Sequence, residues 1–192
     1  MLISGTQLID MPVMSLQTGK ELARTHAAII NPHNLTILAY LVTGNTLDYD
    51  PSYLRIADVR EVGNIGMIID NSDEFISTDD IVSDKHIYDM EYDLHNKQVV
   101  DRHEKKVGKV NDYIIDLDSF VIQQLSVRRP LLQSFKDNEL LVNRSQIVEI
   151  MDDYVIIESA KNKNPTKEKR GRNYANLFQQ SSPQPESIKI KD

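Results

Sequence analysis

One segment of alternating apolar and polar residues constrains this chain most: residues 109–127, Lys-Val-Asn-Asp-Tyr-Ile-Ile-Asp-Leu-Asp-Ser-Phe-Val-Ile-Gln-Gln-Leu-Ser-Val. Its two β-rich runs flank Asp116–Ser119, and aspartate and serine favour tight turns because their side chains bond the nearby backbone. The segment therefore predicts a β-hairpin. Asp116 and Asp118 could suggest acid–base chemistry, but neither has a histidine or a nucleophile near it in the sequence, so we interpret them as turn formers.

A diverged copy of this hairpin occurs earlier in the chain. Ala28–Val42 aligns without a gap onto Tyr113–Val127, and the turn Asn31–Asn34 falls on the later turn; we call this correspondence the repeat alignment. With three further residues inserted, Val59–Val62 falls on Ile147–Ile150. A repeat of strand, turn, strand, long loop and strand predicts two units of one architecture in tandem.

The remaining β-rich runs are short and closely spaced, which is typical of a small sandwich or barrel. Gln7–Asp10 is predicted as a first strand. His86–Leu94 is predicted as a half-buried strand, because its apolar and polar residues alternate. Single helical turns are expected at Ala57–Glu61 and Ser145–Glu149.

Residues 106–116, Lys-Val-Gly-Lys-Val-Asn-Asp-Tyr-Ile-Ile-Asp, followed by a turn and a second strand, resemble the PRC-barrel family. Ser145–Ile150 resembles the turn and closing strand of that family. The first half shows the same plan at Gly19–Arg24, except that Ala23 stands opposite the later Gly108. The resemblance implies a compact β-barrel that docks on other proteins, as in the cytoplasmic subunit of the photosynthetic reaction centre and in ribosome maturation factors. It implies no catalytic residues.

We therefore predict an all-β chain: two tandem small PRC-barrel-like β-barrels with short helical turns, at residues 1–83 and 84–160, and a disordered basic tail at 161–192. The tail is poor in apolar residues. It holds eight Lys and Arg against three acidic residues, a net charge of +5, which leaves −12 of the total of −7 for residues 1–160. Such a division repels polyanions over the body and attracts them at the tail.

Two segments are candidates for binding a partner. The long loop of the second unit begins Arg128-Arg129-Pro130, and its apolar residues would form either an interaction patch or a cap on the barrel. In the tail, residues 161–172 could bind RNA phosphates or an anionic membrane surface, or serve only to keep the chain soluble. A short apolar helix face after them would dock in a partner groove, unless the segment is an inert linker. The candidate residues are Arg128, Arg129, Leu131, Leu132 and Phe135 in the loop, and Lys167, Lys169, Arg170, Arg172, Tyr174, Leu177 and Phe178 in the tail.

The sequence offers no convincing catalytic or cofactor site. The chain contains no cysteine, so disulfides, thiolate nucleophiles and thiolate metal sites are excluded, and its seven glycines match no phosphate-binding loop. His86, Asp89, Glu91, Asp93 and His95 could offer ligands to a divalent metal. Neighbours on one face of a strand lie about 7 Å apart, however, so we interpret these residues as a solvated strand face.

We expect a non-enzymatic adaptor that binds another protein and uses no cofactor or metal. The alternative is an RNA- or ribosome-associated factor that uses the basic tail. No secretory signal is visible, and the longest apolar run, Leu35–Val42, is too short to span a bilayer. We therefore expect a soluble, cytoplasmic protein.

Overall fold

Fourteen β-strands account for most of the computed structural model, which describes residues 1–45, 47–82, 84–90, 92–130 and 138–158. All fourteen belong to one continuous sheet, and the all-β prediction is confirmed. The strands are β1 (Leu2–Ser4), β2 (Pro12–Ser15), β3 (Glu21–Asn31), β4 (Thr36–Thr43), β5 (Ser52–Arg55), β6 (Glu61–Gly63), β7 (Gly66–Ile69), β8 (Phe75–Ile76), β9 (Gln98–Asp101), β10 (Lys106–Asp116), β11 (Val121–Arg128), β12 (Glu139–Asn143), β13 (Ile147–Ile150) and β14 (Tyr154–Ile157).

The helical segments of the described chain are short. They are one α-helix, α1 (Lys85–Asp89), and the 3-10 turns Gly5–Leu8, Ile56–Asp58, Ser72–Glu74, Thr78–Asp80 and Arg144–Gln146. Within the described ranges, no helix has the length and apolar character needed to cross a membrane.

Two predicted strands are wrong. Gln7–Asp10 lies in the first 3-10 turn and the turn after it, between the end of β1 at Ser4 and the start of β2 at Pro12. His86–Leu94 contains α1 in its first half. Ile87 and Tyr88 are adjacent in the sequence and both buried, which a half-buried strand cannot achieve because its successive side chains point to opposite faces.

The two long hairpins, β3–β4 and β10–β11, confirm the hairpin predictions and share one register. Thr25 lies opposite Val42, and Val110 lies opposite Val127 at the same positions of the second hairpin. Two bulges interrupt each ladder, and the repeat alignment superimposes those of the first hairpin on those of the second. A bulge bends its strand and increases its twist, so both hairpins curve at matching points.

The other strands of each half repeat one pairing order. In the first half, β2 pairs with β3 antiparallel and with β7 parallel, and β7 pairs with β6. In the second half, β9 pairs with β10 antiparallel and with β14 parallel, and β14 pairs with β13. β5 and β12 pair with β4 and β11, respectively. A shared pairing order and shared bulges are what a duplication would produce.

The halves meet where their hairpin turns lie side by side. The amide of Ile37 donates to the carbonyl oxygen of Phe120 at 2.9 Å, and the amide of Ile122 donates to that of Leu35 at 2.8 Å. The repeat alignment interchanges these two bonds, because it places Ile37 on Ile122 and Leu35 on Phe120, so the junction has approximate twofold symmetry. One apolar cluster contains buried residues of both halves, including Tyr40 of β4 and residues of β10 and β11.

Candidate functional site

Arg128 and Arg129 lie in a groove on the surface of the second half. The groove has a volume of about 300 Å³ and lies where β9, β10 and the end of β11 meet. Four of its ten described wall residues are cationic, and none of these ten is acidic, so we call it the basic groove. The ten are Asn96, Gln98, Lys106, Gly108, Lys109, Val110, Asn111, Arg128, Arg129 and Pro130.

The strand register places two of the cations face to face. Lys109 of β10 lies directly opposite Arg128 of β11, and like charges at directly opposed positions of an antiparallel ladder destabilise it. Neither forms an ion pair with a described residue. Arg128 instead donates from Nη2 to Oδ1 of Asn111. Glu139 of β12 lies opposite Arg128 on its other side, but the two form no ion pair, so both facing cations lack one among the described residues.

A glycine brings β10 and β11 close together at the floor of the basic groove. A Cβ atom on Gly108 would lie 2.3 Å from the carbonyl oxygen of Arg128 and 2.8 Å from Cγ1 of Val127. The side-chain amide of Gln98 donates to the carbonyl oxygen of Gly108. Backbone contacts therefore set the position of the Arg128 backbone, from which its side chain enters the groove.

The first half has the same strand pairing at this place but a different charge. Extended towards the N-terminus, the repeat alignment places Glu21 on Lys106 and Arg24 on Lys109. Arg24 donates from Nε and Nη2 to the two carboxylate oxygens of Glu21, at 2.8 and 3.0 Å, and from Nη1 to the carbonyl oxygen of Asp10 at 2.9 Å. The hydrogen bond to Glu21 raises the pKa of Arg24. In the first half the cation is thus neutralised by an acidic neighbour.

In the first half the crowded glycine lies on the other side of the hairpin, just after the end of β4. Ala23 stands at the position of Gly108, and Gly44 stands at the position of Arg129. A Cβ atom on Gly44 would lie 2.9 Å from the carbonyl oxygen of Leu22 and 3.2 Å from Cα of Ala23. In the second half the position equivalent to Gly44 therefore carries a charged side chain, that of Arg129, which lines the basic groove.

A second cavity of about 590 Å³ has mostly apolar walls, with His26, Asp93 and His95 among its polar described residues. Nδ1 of His95 lies 2.9 Å from Oδ1 of Asp93, and the backbone amide of His95 donates to the same oxygen. The His95 ring also lies 5.6 Å from the ring of Tyr113, measured between centroids. An aspartate that binds the amide two residues ahead is a turn-forming arrangement, so we interpret the pair as structural.

The residues considered as metal ligands do not form a cluster in the structure. His86 and Asp89 lie on α1, Asp93 and His95 follow it in the chain, and Glu91 lies outside the described residues. Across the ranges that the structure describes, no group of three or more His, Cys, Asp or Glu side chains is placed to hold a metal ion.

Of the residues predicted to bind a partner, the structure describes Arg128 and Arg129 and brings them together in the basic groove. The others lie outside the described residues: Leu131, Leu132, Phe135, Lys167, Lys169, Arg170, Arg172, Tyr174, Leu177 and Phe178. The sequence prediction omitted Lys106, Lys109 and Asn111, which complete the groove. Their spacing on one strand was visible, but their nearness to Arg128 depends on the strand register.

Comparison with known proteins finds a family match in the second half of the chain. Residues 91–163 match the family model of the PRC-barrel domain. No curated protein matches the chain significantly.

Proposed function

We propose, from the premise that residues 91–163 belong to the PRC-barrel family, that this chain is a non-enzymatic adaptor that binds a partner protein through the basic groove. The family domain is compatible with an interaction module. The observation that carries the proposal is the facing pair Lys109 and Arg128, neither of which forms an ion pair with a described residue. A surface that served the fold alone would neutralise this pair, as Glu21 neutralises Arg24 in the first half.

A protein partner suits the basic groove better than a nucleic acid does. The groove is short, and none of its ten described wall residues is aromatic, so it offers no ring on which a base could stack. Residues 1–160 carry a net charge of −12, which repels a long polyanion that extends beyond the groove. A short acidic segment of a protein avoids most of this repulsion. The alternative, an RNA- or ribosome-associated factor, depends on the basic tail, which lies outside the described residues.

Affinity capture from the native host, followed by mass spectrometry, tests the proposal. We expect the full chain to recover a protein partner in the presence of nuclease, and the double variant Lys109→Gln/Arg128→Gln to lose it. Arg24→Gln is the matched control, because it removes a cation at the position equivalent to Lys109, where an acidic neighbour already neutralises it. Recovery that nuclease abolishes, or that the double variant leaves intact, would contradict the proposal.

A further inference from the structure

We propose that the basic groove is an oxyanion-binding site, which takes a carboxylate or phosphate-monoester side chain from an acidic segment of the partner. We take the partner's class from the proposed function, whereas the oxyanion chemistry follows from the groove itself and can be tested without the partner. The two sources of the oxyanion, acidic residues and a phosphorylated residue, share one requirement: several hydrogen-bond donors that carry positive charge.

The charged side chains of the groove supply donors and no acceptors. Lys106 and Lys109 carry ammonium groups, and Arg128 and Arg129 carry guanidinium groups. Asn111 accepts the Arg128 bond through Oδ1, which leaves its amide nitrogen as a further donor. Guanidinium groups bind carboxylates and phosphates through paired N–H groups, and an ammonium adds a mobile point charge. This donor set matches an oxyanion and offers little to a neutral or cationic group.

The acidic side chain opposite Arg128, that of Glu139, already has a hydrogen-bond partner. Glu139 lies opposite Arg128 in the β11–β12 ladder and lines an adjoining hollow of about 350 Å³ together with Arg128, Arg129 and Asn111. Its carboxylate accepts a hydrogen bond from the hydroxyl of Ser126 and forms no ion pair with Arg128 among the contacts of the described residues. Among the described residues, the Arg128 guanidinium therefore has N–H groups without a partner, which an incoming oxyanion can bind.

The first half has the same strand pairing, but there an acidic side chain of the chain itself binds the cation. There the residue at the position of Lys106 is Glu21, and it binds the equivalent cation, Arg24, through both carboxylate oxygens. A bound oxyanion in the second half would occupy the place that this glutamate side chain occupies in the first. The Glu21 carboxylate is thus the kind of group that we expect a ligand to supply to the basic groove.

Binding of short peptides to the full chain tests the inference. The probes are a fluorescent peptide with three adjacent glutamates, the same peptide with one phosphoserine in place of the glutamates, and a version with glutamines. We expect one or both of the anionic peptides to bind, more weakly as salt rises, and the glutamine peptide not to bind. The stronger of the two anionic peptides identifies the source of the oxyanion.

Two variants locate the binding. Lys109→Gln/Arg128→Gln should reduce the affinity about tenfold or more, because it removes both facing charges. Arg24→Gln should leave the affinity unchanged. In addition, Lys109→Gln alone should raise the melting temperature in the absence of peptide, because it removes the repulsion opposite Arg128, an effect that a merely stabilising lysine would not show.

Other outcomes would overturn the inference. If neither anionic peptide binds, the groove is not an oxyanion site, even where affinity capture still recovers a partner that depends on Arg128. If both peptides bind but capture recovers no protein, the proposed function fails and the oxyanion site stands. A single-stranded RNA oligomer that bound more tightly than both peptides, with the same loss in the double variant, would overturn the assignment to a protein segment.

Discussion

Replacing Gly108 by alanine tests the close approach of β10 and β11 on which the basic groove depends. The added Cβ would lie 2.3 Å from the carbonyl oxygen of Arg128, and real Cβ contacts essentially never fall below 3.0 Å. The two strands must therefore separate by about 0.7 Å at this point. The atom in the way belongs to the backbone, so no side chain can rotate to relieve the contact.

The expected loss of stability follows from two opposing effects. Forcing an extra carbon atom into a packed site costs about 1–3 kcal/mol. Gly108 does not have a positive φ angle, so alanine can adopt its conformation and gains about 0.4–1 kcal/mol by restricting the unfolded chain. The midpoints of the two ranges give a net loss of about 1.3 kcal/mol. For a unit of this size, that lowers the melting temperature by roughly 3–5 °C.

Two glycine-to-alanine controls give a ranking that thermal and urea unfolding can check. A Cβ on Gly63 meets its nearest neighbour, Oε1 of Glu61, at an ordinary 3.7 Å, so Gly63→Ala should be neutral or slightly stabilising. A Cβ on Gly44 would meet a backbone oxygen at 2.9 Å, so Gly44→Ala should fall between the other two. Equal melting temperatures for Gly108→Ala and Gly63→Ala would refute the reasoning. Gly108→Ala should also weaken peptide binding, since it moves the backbone from which Arg128 extends.

Three further predictions concern buried hydroxyls and one surface ion pair. Tyr40→Phe should stabilise the protein by about 1 kcal/mol in urea unfolding, because the Tyr40 hydroxyl is buried without a hydrogen-bond partner among the described residues; a loss of stability would contradict this. The hydrogen-bonded guanidinium of Arg60 lowers the pKa of the Asp70 carboxyl, so the pair stabilises the fold above the ordinary value of 3.8 and loses that effect as pH falls through the lowered pKa. Arg60→Gln should return the Asp70 pKa towards 3.8 in a carboxyl NMR titration, and an unchanged value would rule out the ion pair as its cause. Burial raises the pKa of the Tyr113 phenol above 10.0, so its contribution to stability is complete below pH 10.0 and is lost as pH rises through the raised value. Above pH 10.0, Tyr113→Phe should therefore lose less stability with rising pH than the wild type in urea unfolding. Identical pH profiles for the two proteins would contradict this.

The hairpins could be predicted from the sequence because their information is local. Asn31–Asn34 and Asp116–Ser119 are turn residues between β-rich runs, and the structure ends β3 and β10 at those turns. The repeat alignment, continued past its insertion, also carried the correspondence through to β7 and β14. Turn residues and a repeat can both be identified from the sequence alone.

The segment before β9 could not be predicted in the same way. His86–Leu94 has the alternation of a strand, but its first residues belong to α1. This helix begins directly after Asp84, whose φ angle is 59°. Ile87 and Tyr88 pack together against Ile29 and Tyr53, residues that lie far away in the sequence. Tertiary packing decided this element, and a helix this short carries too few residues for its period to be distinguished from a strand.

Only the arginines of the basic groove were predicted from the sequence, because the position of its lysines depends on the strand register. Arg128 and Arg129 are adjacent and precede a proline, so they attract attention as a pair. Lys109 is separated from Arg128 by a whole hairpin. The bulge between Ile114 and Ile115 shifts the register by one residue, and the bulge between Val110 and Asp112 shifts it back, so the two cations lie opposite each other. A single bulge would have changed which residue faces Arg128, and the sequence pattern did not show how many bulges the ladder contains.

Ala23, which stands at the position of Gly108, marks a difference between the halves in where their strands are most crowded. Each hairpin has a glycine where a Cβ atom would meet the backbone of the facing strand: Gly44, just after β4, in the first half, and Gly108, on β10, in the second. The position after β11, equivalent to Gly44, holds Arg129 in the second half. The charge of each half is set separately, at the position of Lys106: Glu21 neutralises Arg24 in the first half, whereas Lys106 adds a cation in the second. An arginine at the position of Gly44 would meet the Leu22 carbonyl, so the first half could not hold the cation that Arg129 adds to the groove without a shift of its backbone.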